Sequence, residues 1–236
     1  MRGQRISACA PDATGFVLAG GQSSRMGSDK ALVKLNGQPL LLHALRTLRE
    51  AGLTASIAGG RPALAAYAPL IEDTREGHGP LSGICSALAS THVEWSVFIS
   101  VDLPLLPASL LVYLLHHASI TGRVVTVPAV NGFIQTFPVI LHRSALPTLE
   151  SELEAGRSGC FSAFKAAAST PALLSKEHFS GVEGPASLLS ILPVESLLQC
   201  GQLTHPAALP PSRWFLNVNT PQNLLRAAVH SRISIA

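Results

Sequence analysis

Short apolar runs alternate with longer amphipathic segments along the first half of the chain. The short runs are partly β-branched and end at Gly, Pro or Asp, which predicts buried strands. They are residues 15–19, 55–58, 69–71, 95–101 and 124–127. Apolar positions at helical spacing predict helices over 40–48, 64–67, 81–90, 107–117, 146–155 and 161–168. This alternation predicts an α/β fold, with a mostly parallel twisted sheet and helices on both faces.

The pattern becomes less regular after Pro128. The dipeptide Asn131-Gly132 is a turn signal and predicts a hairpin, with a strand over 133–141. Residues 214–218 predict a last strand, which lies before a final helix. That helix runs to His230 and begins at Thr220-Pro221, an N-cap residue followed by a first-turn proline.

The same pattern predicts the domain organisation. Residues 1–14 lack a periodic apolar pattern and predict a flexible N-terminal tail, and 15–236 predict a single domain. Five prolines fall within 176–212, which therefore predict an irregular elaboration of that domain.

Composition excludes several classes of protein. Apolar residues make up 47% of the chain and charged residues 13%, so the chain is not of the disordered type. The net charge of +3 is not clustered in a basic patch, so we expect no nucleic-acid partner. No apolar run reaches the roughly 18 residues that a membrane span needs, so we expect no membrane partner.

Metal-ligand and disulfide spacing is missing as well. The four cysteines are singletons, which argues against zinc and disulfide frameworks and favours reduced thiols in a cytoplasmic protein. The nine histidines have no ligand spacing and are assigned to helix ends and the surface, with His116-His117 ending a helix. His78 is the exception of interest, because it adjoins Gly79.

The loop after the first strand, residues 18–30, carries the candidate chemistry. Adjacent glycines allow backbone N–H groups to approach phosphate, and Arg25 and Lys30 supply positive charge. The P-loop spacing fails, because Gly21 and Gly27 lie one residue too far apart, and the dinucleotide fingerprint is absent. The residues therefore indicate a third kind of phosphate loop or an ordinary polar turn.

Four segments together resemble a known family. Leu-Ala-Gly-Gly-x-Ser-x-Arg-Met-Gly-x-Asp-Lys, over 18–30, resembles the signature of the small nucleotidyltransferases with a Rossmann-like fold. Glu72-Asp73 with Gly-Pro-Leu-Ser-Gly at 79–83, Asp-Leu-Pro at 102–104, and Asn-Val-Asn-Thr-Pro at 217–221 follow in the expected order. Within that superfamily the set is most similar to the molybdenum cofactor guanylyltransferases, whose three-layer fold we therefore expect.

The resemblance implies roles for individual residues. Asp102 also ends a predicted central strand, where a carboxylate can hold Mg²⁺ against triphosphate oxygens. Asp29 is assigned a structural role. The catalytic residues would be Arg25, Lys30 and Asp102, with Asp102 as the metal ligand. The nucleotide-binding residues would be Leu18, Ala19, Gly20, Gly21, Lys30, Asp73, Gly79, Gly83 and Asp102. Asn217 and Asn219, on the last strand and its exit, would face the pterin.

The implied reaction is Mg²⁺-dependent transfer of GMP from GTP to molybdopterin or the molybdenum cofactor. The resemblance also allows contact with cofactor-handling proteins, and we expect a monomer or weak homo-oligomer. Transfer from CTP to a cofactor, transfer to a sugar phosphate, and nucleotide binding without turnover stay open as alternatives. The sequence departs from the family pattern at Ala58-Gly59-Gly60, where members often carry an Asn that touches the nucleotide, and in the length of its C-terminal part.

Overall fold

The computed structural model describes residues 11–20, 29–73, 79–170 and 187–231, and within these ranges the chain forms ten strands and eight α-helices. The strands are β1 (Ala13–Leu18), β2 (Lys34–Leu35), β3 (Gln38–Pro39), β4 (Thr54–Ala58), β5 (Leu70–Ile71), β6 (Trp95–Ser100), β7 (Val125–Val130), β8 (Phe133–Ile134), β9 (Val139–His142) and β10 (Leu189–Pro193). The helices are α1 (Leu40–Glu50), α2 (Pro80–Ala89), α3 (Ala108–Thr121), α4 (Leu146–Glu154), α5 (Cys160–Ala168), α6 (Val194–Gln199), α7 (Pro211–Trp214) and α8 (Pro221–Ser231). Short 3-10 helices cover Lys30–Leu32, Pro62–Ala66 and Arg143–Ala145.

One sheet holds eight of these strands, in the order β10-β7-β9-β6-β1-β4-β5, with β8 paired to β7. The neighbours β10–β7, β6–β1, β1–β4 and β4–β5 are parallel, whereas β9 runs antiparallel to both β6 and β7. The predicted mostly parallel sheet is therefore confirmed. The carboxyl ends of β1, β4, β5 and β6 meet at one edge, which is where open α/β sheets bind ligands.

The sheet separates two apolar cores, which gives the predicted three layers. Successive residues of a strand point to opposite faces, so Val17 enters one core and Phe16 the other. The first core includes side chains of α1 and α3, and the second includes side chains of α2, α4 and α5. In the second core the rings of Phe16 and Phe98, on paired strands, stack with centroids 5.2 Å apart.

Three predicted boundaries differ from the structure. The strand predicted over 133–141 is divided into β8 and β9, because residues 135–138 leave the ladder around the cis Phe137–Pro138 bond. Its hairpin at Asn131-Gly132 is confirmed, with φ of 51° and 78° at the two turn residues. Strand β1 starts at Ala13, so the predicted tail boundary at residue 14 falls inside a strand.

The predicted irregular stretch 176–212 is wrong for its described part. Residues 189–193 form β10, which pairs in parallel with β7 at the edge of the sheet, and α6 follows directly. Pro193 ends the strand and serves as the N-cap of α6, while Pro211 opens α7. The prolines therefore mark element boundaries, where a missing N–H is tolerated.

The predicted strand over 214–218 is also wrong. Trp214 ends α7, and the residues after it make no ladder with the sheet. Trp214 and Val218 are nevertheless fully buried. Both side chains pack into the first core. The apolar spacing that predicted a strand comes from these two buried residues of a non-strand segment.

Two histidine assignments need correction. Helix α3 continues to Thr121, so His116 and His117 lie inside it rather than at its end. His43 is buried within α1, where its Nε2 contacts the Leu35 carbonyl at 3.0 Å. Among the helices of the described ranges, none combines the length and apolar character needed to cross a membrane.

Candidate active site

Asp102 lies just beyond the carboxyl end of β6. The chain turns there, with the Leu103 N–H donating to the Ser100 carbonyl and the Val101 N–H donating to the Leu18 carbonyl at the end of β1, both at 3.3 Å. Val101 and Leu103 are buried on either side, whereas 15% of the Asp102 side chain is exposed. The buried neighbours thus fix the turn and leave the carboxylate at the edge where open α/β sheets commonly bind ligands.

Lys30 forms an ion pair with this carboxylate. Its Nζ lies 2.7 Å from Asp102 Oδ2, and 19% of the lysine side chain is exposed. Lys30 opens a short 3-10 helix whose N-cap is Asp29, since Asp29 Oδ1 accepts from the Ala31 N–H at 3.1 Å. The predicted structural role of Asp29 is therefore confirmed, and its cap holds Lys30 at the carboxylate.

Asn217 and Asn219 meet the same pair from the C-terminal part of the chain. The Asn217 amide, oriented with its nitrogen toward the carboxylate, donates to Oδ1 and Oδ2 of Asp102 at 3.2 Å each. Lys30 Nζ donates to Asn219 Oδ1. The structure therefore brings the last sequence motif to the centre of the site, although from an extended segment rather than the predicted strand.

The C-terminal segment also holds the backbone of the turn after β6. The Val218 N–H donates to the Asp102 carbonyl at 3.0 Å, and the His205 ring contacts the Leu105 carbonyl through Nε2 at 3.1 Å. His205 Nδ1 accepts from the Ala207 N–H at 3.0 Å, which places the ring proton on Nε2. Burial lowers the pKa of His205, and the ring stacks on buried Trp214. A neutral imidazole therefore braces the loop that follows Asp102.

A second part of the site lies at the ends of β1, β4 and β5. Asp73 follows β5, and three glycines lie close to its carboxylate. A Cβ built on Gly59 or Gly83 would lie 3.0 Å from Asp73 Oδ1, and one on Gly20 would lie 3.8 Å from Oδ2. A side chain at Gly59 or Gly83 would therefore require the carboxylate to shift, whereas one at Gly20 would make an ordinary van der Waals contact.

The other predicted nucleotide-binding residues have different surroundings. The Ala19 N–H donates to the Ala58 carbonyl at 3.2 Å, the Leu18 carbonyl already accepts from Val101, and both side chains are buried. Leu18 and Ala19 therefore shape the edge of the site from within the sheet. Gly79 is exposed with φ +67°, a backbone conformation that favours glycine, and it is the N-cap of α2.

The chain matches the model of the MobA-like NTP transferase domain over residues 15–170. It belongs to this family. The matched region contains Lys30, Asp73 and Asp102, whereas Asn217 and Asn219 lie in the C-terminal segment that follows it. MobA-like NTP transferases are nucleotidyltransferases, and the chain is therefore an enzyme of that class.

Curated relatives support the same family. A molybdenum cofactor guanylyltransferase from Vibrio atlanticus is 34% identical over 145 residues, which cover 59% of this chain and 74% of that protein. Another, from Xanthomonas euvesicatoria, is 45% identical over 100 residues, which cover 42% of this chain and 51% of that protein. The chain thus spans about half the length of the Xanthomonas protein.

Solved structures share the fold of this MobA-like chain. Molybdopterin-guanine dinucleotide biosynthesis protein A from Archaeoglobus fulgidus superposes with a TM-score of 0.68 at 21% identity, covering 93% of this chain and 98% of that protein. The 2-C-methyl-D-erythritol 4-phosphate cytidylyltransferase of Thermus thermophilus superposes with a TM-score of 0.60 at 16% identity, over 93% of this chain and 98% of that enzyme. The predicted Rossmann-like nucleotidyltransferase fold is confirmed.

Several predicted residues lie outside the described ranges. Gly21 and Arg25 belong to 21–28, and His78 belongs to 74–78. The assignment of Gly21 and Arg25 to phosphate or nucleotide binding stays a prediction. At the departure from the family pattern, the Gly59 backbone lies so close to Asp73 that an Asn side chain there would require the carboxylate to move.

Two residues of the site were not singled out from the sequence. Ser100 ends β6 and donates to Asp102, and Arg61 Nε lies 3.9 Å from Asp29 Oδ2. A serine two residues before an acidic residue is too common in sequences to identify Ser100 as part of a site. Arg61 directly follows Gly59-Gly60, where the sequence departs from the family pattern. That position could have drawn attention to it.

Proposed function

We propose that the protein transfers GMP from GTP to a phosphate oxygen of molybdopterin or the molybdenum cofactor, with release of pyrophosphate and with Mg²⁺ as the metal ion. The names of the curated relatives support the reaction and its acceptor. The observation that carries the proposal is the convergence of Lys30, Asp102 and the Asn217–Asn219 segment on one edge of the sheet. These groups come from the first, third and fourth family motifs.

The reaction requires little chemistry from the protein. An oxygen of the acceptor phosphate forms a bond to the α-phosphorus of GTP, the bond from that phosphorus to the β-phosphate bridging oxygen breaks, and pyrophosphate leaves. The attacking phosphate is already ionised at neutral pH, so no general base is needed. Catalysis then depends on positioning and on neutralising negative charge, which suits a site built around Lys30 and a carboxylate.

The donor set at Asp102 fits Mg²⁺. The ion prefers oxygen ligands and is commonly held by one or two carboxylates together with substrate phosphates, and Asp102 presents a partly exposed carboxylate. Bound there, Mg²⁺ would supply neutralisation of triphosphate charge. A protein of Mycobacterium tuberculosis with the same fold, at a TM-score of 0.55 and 17% identity, was solved as a complex with manganese.

Asp73 would bind the nucleoside in this proposal. Its carboxylate, which lies beside Gly20, Gly59 and Gly83, can accept hydrogen bonds from N–H donors of the base or from ribose hydroxyls. Arg25, Lys30 and Gly21 would bind the phosphates in this proposal, and Asn217 and Asn219 would face the acceptor. The predicted cytoplasmic location, the weakly associating or monomeric state and the contact with cofactor-handling proteins stay predictions.

Pyrophosphate release in a mixture of GTP, Mg²⁺ and molybdopterin tests the function, with CTP in place of GTP as the control. We expect release with GTP and little with CTP. Preference for CTP would identify a cytidylyltransferase, and GTP binding without any release would identify a non-catalytic module. Asp102→Ala should lose nearly all activity while its thermal unfolding stays cooperative, and near wild-type turnover in that variant would refute the metal assignment.

A further inference from the structure

Ser100 is the residue at which β6 ends and the turn to Asp102 begins. Its hydroxyl donates to Asp102 Oδ1 at 2.5 Å, the shorter of the carboxylate's contacts on that side, since the Asn217 amide lies 3.2 Å away. The other oxygen, Oδ2, accepts from Lys30 at 2.7 Å and from Asn217. Both carboxylate oxygens therefore have protein donors. Ser100 lies on the same turn as Asp102, whereas Lys30 and Asn217 come from distant segments of the chain.

The donors also differ in whether they can leave during the proposed reaction. In the proposed reaction Lys30 would turn toward phosphate oxygens, and the exposed Asn217 side chain would meet the acceptor. Ser100 is two residues from Asp102 on the same turn, so its hydroxyl can stay on Oδ1 while the other donors exchange. A carboxylate kept in one orientation by a permanent donor loses less rotational freedom when it binds a cation.

The hydroxyl is not needed for the turn itself. The Leu103 N–H closes the turn on the Ser100 carbonyl, and Ser100 pairs with Leu18 in the ladder between β6 and β1. These are backbone interactions, which any side chain at position 100 would keep. The Ser100 hydroxyl therefore holds Asp102, whereas the Ser100 backbone ends the strand.

We propose that Ser100 is a positioning residue, which fixes the Asp102 carboxylate for the divalent cation. The inference rests on the proposed function, because it takes Asp102 as the metal ligand. It adds a residue to the machinery that none of the four family motifs contains.

The test compares Ser100→Ala with Ser100→Thr, which keeps a hydroxyl at the same position. Mn²⁺ binding is measured from the free-ion electron paramagnetic resonance signal, with the nucleotide that the wild type binds and without acceptor, so that no turnover occurs. Loss of a hydrogen bond to a charged group predicts that Ser100→Ala weakens Mn²⁺ binding roughly tenfold, and that Ser100→Thr stays within about threefold of wild type. Ser96→Ala, a buried serine earlier on β6, is the matched control and should bind Mn²⁺ as the wild type does.

A double variant shows whether Ser100 acts through Asp102. In an Asp102→Ala background the further change Ser100→Ala should leave residual Mn²⁺ binding unchanged, whereas an additional loss would overturn the proposal. Wild-type Mn²⁺ affinity in Ser100→Ala would overturn it as well, and so would equal losses in the Ala and Thr variants. Failure of GTP and molybdopterin to react in the wild type would refute the proposed function alone, because the Mn²⁺ titration does not depend on turnover.

Discussion

Lys30 and Asn219 lie 189 residues apart in the sequence and are joined by a hydrogen bond from the lysine Nζ to the Asn219 Oδ1. The same Nζ pairs with Asp102, so one ammonium group connects the first motif, the central strand and the C-terminal segment. In the proposed reaction these three parts correspond to the phosphates, the metal ion and the acceptor. Charge at position 30 should therefore affect the chemical step more than the fold.

Replacing Lys30 with Ala tests this directly. We expect kcat to fall roughly a hundredfold or more, because a positioned cation that stabilises transition-state charge is removed. Lys30→Arg should not restore the rate, since the planar guanidinium does not reproduce a compact ammonium that meets both Asp102 and Asn219. Steady-state pyrophosphate release measures both variants, and a kcat within a few-fold of wild type for Lys30→Ala would contradict the assignment.

Asn217→Asp should make the ligand-free protein less stable and more responsive to metal. The change places a second carboxylate beside both oxygens of Asp102, where like charges repel. A divalent cation can be shared by two carboxylates, so Mg²⁺ or Mn²⁺ should raise the melting temperature of this variant more than that of wild type.

Thermal unfolding with and without the metal ion checks this expectation. Asn217→Ala is the control, because it removes the amide without adding charge, and it should lack the enhanced response to metal. An Asn217→Asp protein whose melting temperature shifts no more than that of Asn217→Ala would show that the side chain does not face Asp102.

Gly83→Ala tests the pocket around Asp73. The new methyl group would lie 3.0 Å from Asp73 Oδ1, so the carboxylate must shift or the helix must move. We expect the nucleotide Kd to rise roughly tenfold, in keeping with the cost of overpacking a close contact. Calorimetry with GTP measures the change.

A comparison with Asp73→Ala shows whether the effect passes through the carboxylate. In that background the added methyl group meets the Ala58 backbone at 3.6 Å, an ordinary van der Waals distance, so Gly83→Ala should cost little further affinity. Fully additive losses would mean that Gly83 affects the nucleotide independently of Asp73.

The sequence pattern predicted the strands and helices whose position in the fold follows from their own apolar spacing. Buried parallel strands are short apolar runs, and residues that follow such strands meet at one edge, so Asp73 and Asp102 could be placed before the structure was known. The family motifs added Lys30 and the C-terminal asparagines.

The remaining features depend on packing between distant segments. Trp214 and Val218 are apolar because they anchor a crossing segment in the core, and spacing alone cannot distinguish such anchors from a strand. Strand β10 was not predicted, because prolines usually indicate irregular structure and Pro193 is its last residue. The hydrogen bond from Ser100 to Asp102 depends on a side-chain rotamer, which no sequence pattern specifies.

Stability should fall as the pH drops below neutrality, and His205 should account for part of the loss. Burial lowers the pKa values of His205, His43 and His117 in the folded protein from the ordinary value of 6.5. Below that value the unfolded chain binds protons that the folded chain does not, so the free energy of unfolding decreases as the pH falls from 6.5 toward the lowered folded pKa values. For His205 the structural reason is visible, because Nδ1 already accepts from the Ala207 N–H and protonation would oppose that hydrogen bond.

Urea unfolding at about pH 7.5 and about pH 5.5 measures this dependence in wild type and in His205→Gln. The variant should be less stable at the higher pH, because the brace on the Leu105 carbonyl is weakened, and it should lose less stability on acidification. Its kcat should also fall, since the loop that follows Asp102 is less firmly held. If His205→Gln and wild type lose equal stability between the two pH values, His205 is not one of the groups responsible, and His43 and His117 become the next residues to replace.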